Sequence, residues 1–116
     1  MNVVTIVGEV LERPFRPGNG ARTVVKIKVH DDVSGRFDRI EFDAFGQPGE
    51  FGSRLFIGDR IAIRGRLEDR TFHEDGEEVH ELRIVANHIE LIMRANDRRQ
   101  APPPPSSGPP SLDSND

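Results

Sequence analysis

The stretch Gly58-Asp59-Arg60-Ile61-Ala62-Ile63-Arg64-Gly65-Arg66-Leu67-Glu68 decides how the rest of the chain is interpreted. It opens on a Gly-Asp turn, after which Ile61 and Ile63 fall on one face of an extended chain, because strand side chains alternate. Gly65 interrupts the alternation, as a glycine at a bulge or sharp bend does. The stretch therefore predicts a strand with one apolar face that coils partway along, which is what a small closed β-barrel requires.

The rest of the chain predicts elements that pack around this strand, which itself continues to Arg70. Alternating apolar and polar residues predict four further strands, at residues 3–10, 23–30, 37–45 and 82–92. A short helix is predicted at residues 48–55, where Pro48 suits a first helical turn. Five strands with a helix between the third and fourth predict an all-β, five-stranded OB-fold barrel.

In the third strand, alternation separates a core side from an outer side. Ile40, Phe42 and Ala44 are predicted to face the core. The outer side is predicted to carry Arg39, Glu41, Asp43 and Phe45. This outer side therefore mixes cationic, acidic and aromatic groups on one face.

Composition changes near the end of the chain. We expect an OB-fold domain at residues 1–95 and a disordered Pro/Ser-rich tail at residues 96–116, because Pro102 to Pro105 and the following Ser-Ser-Gly-Pro-Pro have little to bury. The chain has no cysteine, no apolar run long enough for a membrane span and no basic, apolar leader at its start. A soluble cytoplasmic protein is the expectation, with no membrane partner.

Enzyme chemistry finds little support in the sequence. A phosphate-binding Gly-Lys-Ser/Thr loop and a nucleophile elbow are both missing. The histidines His73, His80 and His88 are scattered, so solvated or core roles are favoured over a metal site. A nuclease metal cluster is conceivable from the carboxylates Asp31, Asp32, Asp38, Glu41 and Asp43. A polar hairpin loop with cross-strand pairs to Lys26 and Lys28 is the favoured interpretation, and we expect no enzyme, cofactor or metal.

Basic and flat side chains are predicted to point away from the core or onto a hairpin. They are Lys26, Lys28, Arg39, Phe45, Arg64, Arg66, Arg70 and Phe72. Proteins that bind single-stranded nucleic acid need cations for the phosphates and flat groups for the bases. Because OB-folds also bind sugars and proteins, spacing alone leaves these ligand classes open, and the net charge of −4 argues weakly against nucleic acid.

Several motifs in register resemble the bacterial single-stranded DNA-binding protein family over about residues 1–92. They are Met1-Asn2 with Ile6-Val7-Gly8, Pro14-Phe15-Arg16-Pro17-Gly18-Asn19-Gly20, Ala44-Phe45-Gly46-Gln47 with Glu50, Gly58-Asp59-Arg60-Ile61, and Gly65-Arg66-Leu67. The resemblance implies an OB-fold, usually a homotetramer, that coats single-stranded DNA without sequence preference in replication, recombination and repair. By position, Phe45 matches the stacking Phe of that family.

The remaining matches extend the expected site along the outer face. Phe72 matches a stacking Trp on the long hairpin, and Arg39 stands where the family commonly has another Trp. Arg70 matches a basic residue just before the hairpin aromatic. Single-stranded DNA is therefore the expected partner, together with further copies of this chain.

The chain departs from that family in ways that bear on function. It has no Trp, which weakens stacking, and Glu41 and Asp43 would repel phosphate unless Lys26 and Lys28 offset them. The tail has Asp113 and Asp116 but lacks the acidic run ending in Pro-Phe by which the family recruits replication and repair proteins. Two alternatives stay open: an OB-fold accessory or scaffold protein of the replication machinery with weak or no DNA binding, and the metal-dependent nuclease.

Overall fold

A computed structural model describes residues 1–18 and 21–95 of the chain. The elements in order are β1 (Val4–Val10), β2 (Arg22–His30), β3 (Phe37–Phe45), α1 (Gly46–Ser53), β4 (Arg60–Glu74) and β5 (Glu77–Met93). The strands close into a barrel in the order β1-β2-β3-β5-β4, with β3 and β5 parallel and the other pairs antiparallel. The predicted five-stranded OB-fold barrel is confirmed. The tail predicted at residues 96–116 lies outside the described residues, and the domain boundary stays a prediction.

The helix begins and ends two residues earlier than predicted. Phe45 is its N-cap residue, and Pro48 is the third helical residue. Proline is tolerated there because backbone N–H groups of the first turn have no partner within the helix. In the described part of the chain, no helix has the length and apolar character needed to cross a membrane.

The strands β4 and β5 are longer than predicted, because their ladder continues to the tip of the hairpin. Asp75 and Gly76 form the turn with φ of 53° and 80°, the left-handed pair that a two-residue hairpin turn requires. Rungs therefore continue to Glu74↔Glu77. Phe72 lies within this arm, directly opposite Val79.

The core sits inside the barrel and follows the predicted alternation. The largest fully buried apolar side chains are Phe42, Ile27, Ile61, Ile63, Val10 and Val25. Phe42 and Ala44 come from β3, as predicted, and Ile40 packs against the cluster while partly buried. The helix α1 adds Gly49 and Gly52 as buried residues, so its backbone lies close to the barrel.

The register between β4 and β5 changes at Gly65. This glycine pairs with Val4 on one side and Ala86 on the other, and the register of β4 with β5 shifts between Arg64 and Gly65. A Cβ atom added at Gly65 would collide with the carbonyl oxygen of Val85. The bulge or bend predicted from the sequence is confirmed, and the absent side chain is what lets β4 coil there.

Gly65→Ala should destabilise the barrel by about 3 kcal/mol, because the added methyl meets backbone that cannot rotate away. Urea unfolding followed by circular dichroism measures the effect. Gly52→Ala is the matched control: its Cβ would lie 3.4 Å or more from its nearest neighbours, Ile89, Val25 and Thr23, so unfolding should change by less than about 1 kcal/mol. Equal losses in both variants would contradict a specific requirement at Gly65.

Candidate nucleic-acid interface

The outer face of β2 and β3 carries the predicted binding residues in opposed pairs. The rungs along this face are His30↔Phe37, Lys28↔Arg39, Lys26↔Glu41, Val24↔Asp43 and Arg22↔Phe45. The face continues onto β5, where Val85 lies beside Asp43, and then onto β4 through Arg66↔Val85. Four neighbouring strands therefore share one outward surface.

Asp43 lies at the centre of this surface and is completely buried. Arg83 donates from Nε to Asp43 Oδ2 at 3.1 Å and from Nη2 to Oδ1. Arg22 and Arg70 approach Oδ2 to 3.6 Å and 3.5 Å. Three guanidinium groups thus surround one carboxylate, an arrangement we call the Asp43 cluster.

Two sequence-based expectations about this region are wrong. Asp43 has the predicted outward direction, but the arginines cover it, so it does not present a bare charge to solvent. The cations that offset Asp43 and Glu41 are arginines, not Lys26 and Lys28. Lys26 lies opposite Glu41 in register, but its ion pair is with Glu12 at 3.5 Å.

Two arginines of this cluster, Arg22 and Arg83, are not among the site residues predicted from the sequence, and Arg83 makes the closer contacts to Asp43. Its hydrogen bonds to Asp43, and then those to Glu41, raise the pKa of the guanidinium above its ordinary value, although burial opposes the shift. Alternation with the apolar Ile84 places Arg83 on the outer side of β5. Its partner was hidden because the parallel pairing of β3 with β5 joins residues 40 positions apart.

Phe45 and Arg70, which the family resemblance placed in the expected site, are in contact. The Arg70 guanidinium carbon lies 5.8 Å from the centre of the Phe45 ring, within the range of a cation–π contact. Phe72 is two residues further along the same side of β4, about 7 Å away along the strand. Phe45 and Phe72 are 40% and 42% exposed, so each ring has a surface on which a base can stack.

The remaining predicted cations differ in their surroundings. Arg66 donates to Asn87 Oδ1 and to Glu68 Oε2, both at 2.9 Å. Arg64 is exposed but lies between Thr5 of β1 and His88 of β5, beyond the register shift. The structure therefore brings Arg66 into the surface and leaves Arg64 at its margin, near β1.

Phe37 is a second aromatic centre that the sequence analysis placed in β3 but not in the site. Lys28 Nζ lies 5.1 Å and Arg39 Cζ 5.9 Å from the ring centre. The His30 ring meets the Phe37 ring edge-on, with centroids 6.3 Å apart. The sequence could have placed Phe37 in the site. Phe37 lies an even number of residues from Arg39 and Phe45, so it is on the same side of β3.

Three of the five carboxylates considered for a nuclease centre, Asp31, Glu41 and Asp43, are engaged in other interactions. Asp31 accepts from the Val33 N–H and the Ser34 hydroxyl at 2.9 and 2.8 Å, and these bonds lower the pKa of its carboxyl. Asp43 is held by arginines. Within residues 1–18 and 21–95, no group of three or more His, Asp or Glu side chains is arranged to hold a metal ion.

A separate cleft of about 710 Å³ lies by the connection between α1 and β4. Phe56 lines it, and Arg94 lies over the Phe56 ring at 5.6 Å. Buried Asp59 fixes the cleft by accepting from the N–H groups of Phe56 and Ala95 and from Arg94. This aromatic–arginine pair is not among the rungs of the β2–β3 face. A substitution of Phe56 is therefore a useful control for substitutions of the aromatic residues on that face.

Comparison with known proteins gives a structural match without a sequence match. No family model matches the chain, and no curated protein does. A small single-stranded DNA-binding protein from Streptomyces coelicolor superposes with a TM-score of 0.56 at 24% identity, covering 77% of this chain and 92% of that one. A mitochondrial single-stranded DNA-binding protein from S. cerevisiae gives a TM-score of 0.63 at 15% identity, covering 80% and 96%. The chain thus has the OB-fold found in these proteins.

Asp43→Asn should lower the free energy of unfolding by about 2–3 kcal/mol, because it leaves three arginines without their shared carboxylate charge. Asp38→Asn, an exposed change on the same strand, should stay within about 0.5 kcal/mol. Urea titration of both variants measures the difference. An Asp43 variant as stable as the Asp38 control would show that the cluster does not stabilise the barrel.

Proposed function

We propose that this protein binds single-stranded DNA without sequence preference, as a non-enzymatic coat in replication, recombination and repair. The observation that carries the proposal is the outer face of β3, where Phe37, Arg39 and Phe45 share one side of the strand. Stacking rings and cations along one groove are what sequence-independent single-strand binding requires. The OB-fold of two single-stranded DNA-binding proteins supports the same conclusion.

The proposed mechanism divides into stacking and backbone attraction. Bases stack on Phe45 and Phe72, and cations along the surface follow the phosphates. The Arg70 guanidinium over Phe45 offers a flat, charged neighbour to a stacked base. Lys26, Lys28, Arg39, Arg64, Arg66 and Arg70 remain the proposed basic contacts, with Arg64 at the margin. A cytoplasmic location on nucleoid DNA belongs to this proposal.

One feature favours the alternative of an accessory or scaffold protein. Arg22, Arg66, Arg70 and Arg83 all pair with carboxylates on this surface, which reduces the positive charge offered to phosphate. If the protein bound no DNA, the same face would be available to a protein partner. The binding experiment below separates the two functions.

Self-association is part of the proposal, with a homotetramer as the expected state. Along β1, residues 4–9 pair with β4, whereas pairing with β2 is confined to Glu9 and Val10, so residues 4–8 have no partner on the β2 side. Val3 and Val7 are 48% and 51% exposed. An unpaired strand edge with apolar side chains is suited to pairing with another copy.

Light scattering of the intact chain should give a tetramer, and a monomer at high concentration would remove this part of the proposal.

The binding test is fluorescence anisotropy of a labelled oligo-dT, with oligo-dA, oligo-dC and duplex DNA as competitors. Wild type should bind all single strands and be displaced poorly by duplex. Phe72→Ala and Phe45→Ala should each weaken binding about fivefold for every base type, which corresponds to about 1 kcal/mol of stacking.

Phe56→Ala is the control for this test. It removes an exposed ring that is also covered by an arginine, but one outside the proposed surface, so affinity should not change. A loss restricted to one base type would contradict sequence-independent stacking. No binding of wild type at low salt would transfer support to the scaffold function.

A further inference from the structure

The end of the β2–β3 hairpin differs from the rest of the outer face in its charge balance. Lys28 and Arg39 stand directly opposite each other, and both lie over the Phe37 ring. Like charges placed opposite each other across a sheet are destabilising. We call Phe37, Lys28 and Arg39 the Phe37 cluster.

The carboxylates near this cluster leave Arg39 uncompensated. Within the described residues, Arg39 forms no ion pair, and its same-face neighbour Glu41 is held by Arg83 at 2.8 Å. Lys28 is different, because Glu9 lies opposite it on β1, and Glu9 and Asp32 line the same cleft. Arg39 is therefore the principal cation of the cluster, and Lys28 is secondary.

Near Phe45, by contrast, the arginines are already paired with carboxylates. Arg70 lies 3.5 Å from Asp43 and 3.4 Å from Glu68, and Arg66 lies 2.9 Å from Glu68. A phosphate that contacts these arginines must compete with protein carboxylates already in place. Such an exchange gains little net charge neutralisation, so few counterions are released from the nucleic acid.

The two aromatic centres are also well separated. Phe37 and Phe45 stand eight residues apart on β3, which is about 27 Å along an extended strand. A single strand of DNA that crosses the whole face therefore meets two distinct subsites in succession.

From this contrast we infer that the Phe37 cluster is the phosphate-anchoring subsite: Arg39 and Lys28 hold the backbone while a base stacks on Phe37. The Phe45 subsite then contributes stacking with little salt dependence. This assigns Phe37 a binding role and gives Arg39 a phosphate contact in place of the base stacking that its position implied. The inference rests on the proposed single-strand function and specifies how that function is divided along β3.

The test measures the slope of log affinity for labelled oligo-dT against log NaCl concentration. Each phosphate contact to a single strand contributes about −0.7 to that slope. Arg39→Gln should make the slope less negative by about 0.7, and Lys28→Gln by the same amount or less. Arg54→Gln is the matched control, because Arg54 is an exposed arginine that pairs with Glu50 at 3.7 Å and lies beside the separate cleft, outside the proposed surface. It should change the slope by less than about 0.2.

Phe37→Ala tests the stacking half of the inference. Affinity should fall about fivefold with the slope unchanged, because a neutral ring releases no counterions. Circular dichroism of each variant confirms that the barrel is folded, and Phe56→Ala again serves as the aromatic control.

The outcomes separate this inference from the proposed function. If wild type binds oligo-dT with a salt slope that Arg39→Gln leaves unchanged, the function stands and the anchor assignment is overturned. The same holds if Arg54→Gln changes the slope as much as Arg39→Gln does. If wild type does not bind single strands at all, the function and the inference both fail.

Discussion

The buried carboxylate of Asp43 is the interaction on which the outer surface depends. It sits where β2, β3, β4 and β5 share one face, and arginines from three of those strands converge on it. A charge without solvent contact must be matched by charged partners, so Arg22, Arg70 and Arg83 are held in fixed directions. One of them, Arg70, is thereby placed over the ring of Phe45.

This constraint also explains why a chain of net charge −4 is compatible with binding nucleic acid. Net charge says little when charges are arranged unevenly. Carboxylates neutralise the middle of the face, whereas the Phe37 end retains Arg39 without an ion pair among the described residues. The proposed function therefore depends on where cations lack acidic partners rather than on how many cations the chain has.

The sequence predicted the barrel well because a barrel is specified locally, by alternation of apolar and polar residues within strands and by glycines and turn residues at bends. Gly65 predicted the bend in β4, because its position interrupts the alternation of apolar residues. The family resemblance placed Phe45 and Arg70 in the expected site, but the contact between them was not predicted. The sequence did not predict the burial of Asp43 or the role of Arg83, since both follow from the parallel pairing of β3 with β5, and alternation within a strand does not reveal its partner. Phe37 was overlooked, although alternation places it on the same side of β3 as Arg39 and Phe45.

The proposed function places single-stranded DNA on the outer face of β2, β3 and the β4–β5 hairpin. Backbone amide NMR spectra recorded during titration with oligo-dT test it most directly. Shifts should be concentrated in residues 26–30, 37–45 and 70–72, with residues 53–59 beside the separate cleft unaffected. Shifts confined to residues 53–59, or none at saturating oligonucleotide, would contradict it.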